Sequence, residues 1–137
     1  MSVWTQATVK FWVKGELNIG EIQRLVGYAS DFYDCSILKP WDNKEHFLPS
    51  GSEGTLNIYV LKTTKKQTVF IVAGGLRNVY STRNIKEWFD KVTHRSIRGF
   101  KYITKAKGIA VCDCDGDGEE LKLKYVVDIN EPKEELK

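Results

Sequence analysis

Asp113, Asp115 and Asp117 occupy alternate positions in the run CDCDGDG, which starts at Cys112 and ends at Gly118. Oxygen-bearing side chains at that spacing open an EF-hand loop, so calcium binding is the first chemistry to consider. Such a loop also needs a bidentate glutamate at its twelfth position and a helix on each side. Counted from Asp113, that position holds Lys124, which supplies no oxygen and repels a cation. The flanks GIAVC and LKLKYVV alternate as strands do, and Asp-Gly occurs twice, at Asp115-Gly116 and Asp117-Gly118. These features predict a hairpin turn whose acidic tip, Asp113, Asp115, Asp117 and Glu119, is solvated.

The other metal and nucleophile patterns are thinner. Cys112 and Cys114 are spaced C-x-C rather than the wider spacing of zinc sites, with only Cys35, His46 and His94 to complete a ligand set. Alternation puts both on one strand face, where a cysteine acts as a small apolar residue. Cys35 paired with His46 or His94 lacks any local framing for a nucleophile and base. No HExxH, GxSxG or phosphate-loop pattern occurs, so a chain with no enzymatic activity and no cofactor is expected.

Two segments carry binding chemistry. Residues 77–107 hold nine basic side chains against two acidic ones, whereas residues 108–137 hold four against nine. Within the basic segment Arg95, Arg98, Lys101, Lys105 and Lys107 interleave with Phe100 and Tyr102. Basic groups neutralise phosphates and aromatic faces stack bases, so this segment is a candidate for nucleic acid or for a docked partner. A solvated face over core aromatics fits the same residues. Ser50, Gly51, Ser52 and Gly54 form a small loop entering a strand. Its N–H groups would make an anion-binding nest, with Arg77 from the next strand end, or else a plain loop whose glycines permit positive φ.

The elements that must position these groups follow from periodicity. Val3–Val13 reads as a strand with Thr5, Ala7, Val9, Phe11 and Val13 on one face and Gln6, Thr8 and Lys10 on the other. Asn18 with Glu21 forms a capping-box signal for a helix carrying Ile22, Leu25, Val26, Ala29 and Tyr33 and ending near Asp34. Residues 36–54 read as a long connection that Trp41 and Phe47 tack to the body. Leu56, Ile58 and Val60 start a second strand, TTKKQ is a turn, and Val69–Ala73 is a third strand ended by Gly74 and Gly75. Ser81 or Thr82 caps a second helix, with Ile85, Trp88, Phe89 and Val92 along one stripe. A short strand near Phe100–Ile103 and a hairpin of Ile109–Asp113 with Glu120–Val127 follow.

This order predicts an α+β fold: an antiparallel sheet with two helices on one face, built as a ferredoxin-like βαββαβ core plus an extra C-terminal strand. A single domain over residues 1–130 and a charged, frayed tail over 131–137 are expected from the chain of 137 residues. Apolar residues make up 42%, enough for a real core, and no apolar run approaches a membrane span. The opening MSVWTQATVKFW lacks the pattern of a signal peptide, and three cysteines fit a reducing cytosol.

LPSGSEGTL, then a strand, then FIVAGGLRN, then IKEWF resembles a group of small phage- and prophage-encoded proteins of uncharacterised function. Their pattern is P-x-GSEGSL, a strand, G-D-L-R-D and a helix containing EWF. The likeness spans Leu48–Phe89, and the opening SVW is also similar. The chain departs from the pattern at Thr55, Gly75 and Asn78, where the group has a serine and two aspartates, so no role of those acids carries over.

The resemblance implies a phage accessory protein in the host cytoplasm. On that basis the first expectation is an anti-CRISPR-like inhibitor that binds a host defence protein. Its contacts would be the tip Asp113, Asp115, Asp117 and Glu119, or the basic residues Arg95, Arg98, Lys101 and Lys105. The alternatives are a sponge that holds a small nucleotide signal at Ser50, Gly51, Ser52, Gly54 and Arg77, and a nucleic-acid module using residues 95–107. Either a monomer or a homodimer fits.

Overall fold

The computed structural model describes residues 3–29, 47–79, 81–113 and 118–136. These fold into an α+β domain with a mostly antiparallel sheet of seven strands and two helices. In chain order they are β1 (Trp4–Lys14), α1 (Ile19–Val26), β2 (Asn57–Thr63), β3 (Gln67–Arg77), α2 (Arg83–Val92), β4 (Arg95–Ile97), β5 (Lys101–Cys112), β6 (Glu119–Val126) and β7 (Glu134–Leu136). The main sheet runs β2-β3-β1-β5-β6 with every neighbour antiparallel. The β4 strand pairs with the first residues of β5, and β7 pairs in parallel with β4.

Alternation along β1 decides which face is covered. Thr5, Ala7, Val9, Phe11 and Val13 are buried, while Trp4, Gln6, Thr8 and Lys14 are exposed. Phe11 stacks on Phe70 of β3 at 5.2 Å and meets the edge of Trp88 of α2 at 5.8 Å. Trp88 Nε1 donates to the Val26 carbonyl at 2.7 Å, so α1 and α2 touch each other over this one face. Ile22, Leu25 and Val26 of α1 and Ile85, Phe89 and Val92 of α2 complete a single core. Truncating a ring such as Phe11 in a core of this kind costs about 3–5 kcal/mol.

The expected first helix is shorter than its periodicity suggests. The capping box forms, with the Glu21 N–H donating to Asn18 Oδ1 at 2.8 Å and the Asn18 N–H donating to Glu21 Oε1 at 3.2 Å. The helix nevertheless stops at Val26. Gly27 takes φ +118°, and a Cβ there would lie 2.7 Å from the carbonyl carbon of Phe47. Tyr28 then bridges to Phe47 in β geometry, so Ala29 lies beyond the helix. Tyr33, Trp41, Cys35, His46, Cys114, Asp115 and Asp117 lie outside the described residues.

Two further departures enlarge the sheet. Gly74 and Gly75 do not end β3, which runs on to Arg77. A Cβ on Gly74 would sit 2.6 Å from the Thr55 carbonyl oxygen, so glycine here permits a close backbone approach within the strand. The segments near Phe100–Ile103 and Ile109–Asp113 join into one strand of twelve residues, β5. The tail is also not wholly frayed. Glu134 N–H donates to the His94 carbonyl at 2.8 Å, and Leu136 packs against the core, which holds β7 on β4. Among the described residues no helix is long and apolar enough to cross a membrane.

Candidate nucleic-acid interface

The face of the sheet away from the helices is laid out by the strand register, because directly paired residues share a face. One row reads Lys62, Val69, Trp12, Lys105 and Val126 across β2, β3, β1, β5 and β6. The next reads Tyr59, Ile71, Lys10, Lys107 and Lys124, and the third reads Asn57, Ala73, Thr8, Ile109 and Lys122. Four strand-to-strand steps make each row about 19 Å long. Six lysines therefore stand in three adjacent rows with no acidic residue among them. The first acid appears one row further on, where Gly75, Gln6, Val111 and Glu120 line up.

Trp12 sits inside this lattice. The ammonium groups of Lys10 and Lys105 each lie 4.8 Å from its ring centroid. Opposite charges are not the reason these lysines are placed here: among the described residues none of the six is in an ion pair. The basic residues of α2 are different, since Arg83 pairs with Glu87 and Lys86 with Asp90 one helical turn on. The charge asymmetry seen in the sequence is thus neutralised on the helix and left open on the sheet.

The residues singled out in the sequence separate accordingly. Lys105 belongs to the open face. Arg95 does not: it is buried, and its Nη1 donates to the Leu25 carbonyl at 3.2 Å, because β4 lies beneath α1. Lys101 bridges back to α1, donating to the Glu16 carbonyl at 2.8 Å and to Glu21 Oε2 at 3.1 Å. Arg98 is exposed in the turn between β4 and β5 with φ +55°. A contiguous patch of Arg95, Arg98, Lys101 and Lys105 is therefore not formed.

The Ser50–Gly54 loop and Arg77 do come together, but they bind one another. Ser52 N–H donates to the Arg77 carbonyl at 2.9 Å, Arg77 N–H to the Glu53 carbonyl at 3.0 Å, and Gly51 N–H to the Gly54 carbonyl at 3.0 Å. Ser50 bridges Thr55, and Gly54 takes φ +82°. The Arg77 guanidinium lies 3.0 Å from the Glu53 carboxylate. The Gly51 and Ser52 N–H groups, already donating inward beside a carboxylate, are not open to an anion. The loop is docked structure, and two of the donors expected to cradle a phosphate are used within the chain.

At the other end of the sheet, Asp113 closes β5 by donating its N–H to the Trp4 carbonyl at 2.9 Å. Strands on both sides of the aspartate run agree with a hairpin and not with an EF-hand. Glu119 is not a free member of an acidic tip. Its Oε1 accepts from the Thr82 N–H at 3.2 Å and from the Thr82 hydroxyl, fixing the start of α2. Cys112 is buried, and its thiol donates to the Val79 carbonyl at 3.5 Å. Among the described residues no cluster of His, Cys, Asp and Glu is placed to hold a metal ion.

No protein-family model, curated protein or solved structure matches the chain. The open face is therefore read from its own chemistry. Its signal lies in the sequence as period-two lysines, KAK at 105–107 and KLK at 122–124, and as Lys10 and Trp12 opposite the apolar run of β1. Counting charge over segments hides that signal, because the six lysines come from four strands.

Proposed function

We propose that this chain is a non-enzymatic nucleic-acid-binding module that takes a single strand across the open face of its sheet. The row Lys10, Lys107 and Lys124 carries the reading. Like charges directly opposite on neighbouring strands oppose folding, and a row of phosphates is the partner that turns this arrangement into attraction. Trp12 and Tyr59, set among the lysines, offer faces on which bases stack, which favours an unpaired strand over a duplex. The order β2-β3-β1-β5, with a helix in each crossover, supports a ferredoxin-like core, whose sheet is exposed on the side away from its helices.

Within the phage setting that the resemblance implies, the partner is then nucleic acid rather than a defence protein. The arrangement favours this over the nucleotide sponge of the Ser50–Gly54 loop, because the Gly51 and Ser52 N–H groups of that loop already donate inward.

Fluorescence anisotropy with a labelled single-stranded oligonucleotide, its duplex and a salt series tests the reading. The single strand binds more tightly. The log–log salt slope is about −4 if each of the six lysines meets one phosphate. A flat salt response, or equal affinity for the duplex, overturns it.

A further inference from the structure

The lysine rows give way, at the Trp4 end of the sheet, to a groove of different chemistry. It is lined by Trp4, Gln6 and Thr8 of β1, by Ile109 and Val111 of β5 and by Asp113 just beyond it, and its volume is about 460 Å³. That lies within the range of small-ligand pockets. The register places Gln6 opposite Val111, and Asp113 follows Cys112, the partner of Thr5, so Trp4 and Asp113 face each other at the end of the groove. Trp4 lies over the backbone of β3 where Gly75 has no side chain: a Cβ there would be 3.5 Å from its ring. The indole is 38% exposed and Ile109 and Val111 are similarly open, giving an apolar floor with a carboxylate and an amide at its rim.

We infer that this groove is a guanine-reading subsite for the strand bound on the lysine rows, an inference that rests on the nucleic-acid reading above. The flat apolar floor and the indole take the face of a base. The selectivity comes from Asp113. An ionised carboxylate only accepts hydrogen bonds. Guanine alone among the four bases presents two adjacent donors, N1–H and the N2 amino group, to match its two oxygens. Adenine and cytosine each set a donor beside an acceptor on that edge, and thymine or uracil flanks one N–H with carbonyl oxygens, so each turns a lone pair toward the carboxylate. The Gln6 amide, in the row next to Trp4 and Asp113, supplies a donor of the type that the guanine O6 accepts. Glu120 and Asp113 at this end repel phosphates, whereas the lysine rows attract them, so the backbone runs along the lysines and a base is what reaches the acidic end.

The test compares short oligothymidine with the same oligonucleotide carrying one guanine, adenine or cytosine, for wild type and for Asp113→Asn. Wild type binds the guanine-containing strand about tenfold more tightly than oligothymidine, the scale of one bidentate contact to a base edge. Asn presents an acceptor and a donor side by side, so Asp113→Asn loses the guanine preference, gains preference for adenine or cytosine, and keeps its affinity for oligothymidine. Equal wild-type affinity for all four strands, or a guanine preference unchanged in Asp113→Asn, overturns the subsite and leaves the lysine-row reading standing. No binding of any strand by wild type overturns both.

Discussion

Lys10 of β1 and Lys107 of β5 stand directly opposite each other on adjacent antiparallel strands, and Lys124 of β6 stands opposite Lys107. Lys107 is the middle of three like charges. A residue in that position lowers the stability of the free protein, by roughly 0.2–1 kcal/mol on the scale of cross-strand pairs. Lys107→Gln is therefore expected to raise the denaturation midpoint of the free protein and to weaken single-strand binding. It should also make the salt slope shallower by about 0.7. Urea melts and anisotropy on one preparation read both effects. A variant that loses both stability and affinity would show Lys107 to be a structural residue.

Trp12 is held between Lys10 and Lys105, each ammonium 4.8 Å from the ring centroid. A stacked base is worth about 1–3 kcal/mol by truncation to alanine. Trp12→Leu keeps an apolar side chain on the half-buried site but removes the broad π-face. It is expected to weaken oligonucleotide binding by about tenfold or more while leaving the melting curve near wild type. Bound strand should also quench the tryptophan emission of wild type more than that of Trp12→Leu. Equal quenching in the two proteins would place the strand elsewhere.

The Gly51 loop makes a contrasting pair of predictions. A Cβ at Gly51 would lie 2.3 Å from the Arg77 carbonyl oxygen and 2.7 Å from the Arg77 nitrogen, so the loop must move off β3. Gly51→Ala is expected to destabilise the fold by about 2 kcal/mol or more, measured by thermal or urea unfolding. Arg77→Ala removes the ion pair with Glu53, whose side chains are 37% and 62% accessible. Its effect should be below about 1 kcal/mol, and it should leave oligonucleotide affinity unchanged. Calorimetry with a small nucleotide that binds wild type and fails with Arg77→Ala would restore the loop as a ligand site.

The Ile22, Leu25 and Val26 part of the first helix's stripe, the second helix's stripe, the β2–β3 turn and the terminal hairpin were legible because each rests on local periodicity or turn chemistry. What escaped depends on partners distant in sequence. Gly74 reads as a strand ender until the Thr55 backbone is seen against it. Arg95 and Lys101 read as one basic surface, but Leu25 and Glu21 from α1 take them out of it. Glu119 reads as a tip residue, yet it holds the start of α2 through Thr82. The open lysine face was half visible: KAK and KLK fix each strand's outward side, but only the register aligns Lys10, Lys107 and Lys124 into a row.

Glu21 ties the first helix to the sheet and makes that tie sensitive to acid. Partial burial works to raise its pKa. The Asn18 N–H and the Lys101 ammonium, with a further contribution from Arg98, outweigh burial and hold the carboxyl below its usual 4.5. A carboxyl whose folded pKa is lowered contributes stability that is fully present above the unfolded value and is lost as pH falls through the folded one. The contribution is thus complete near neutral pH, begins to fall near pH 4.5 and is lost as pH drops through the lowered folded value. Glu21→Gln keeps the side-chain shape and removes the charge. It should be less stable than wild type at neutral pH by up to about 1 kcal/mol, since Gln still accepts the Asn18 N–H and the ion pair to Lys101 is what is lost. The two urea curves should draw together as pH falls below 4.5 and wild type takes up the proton. A gap of the same size at neutral and at acid pH would mean that packing, rather than the ionised carboxylate between Asn18 and Lys101, holds α1 in place.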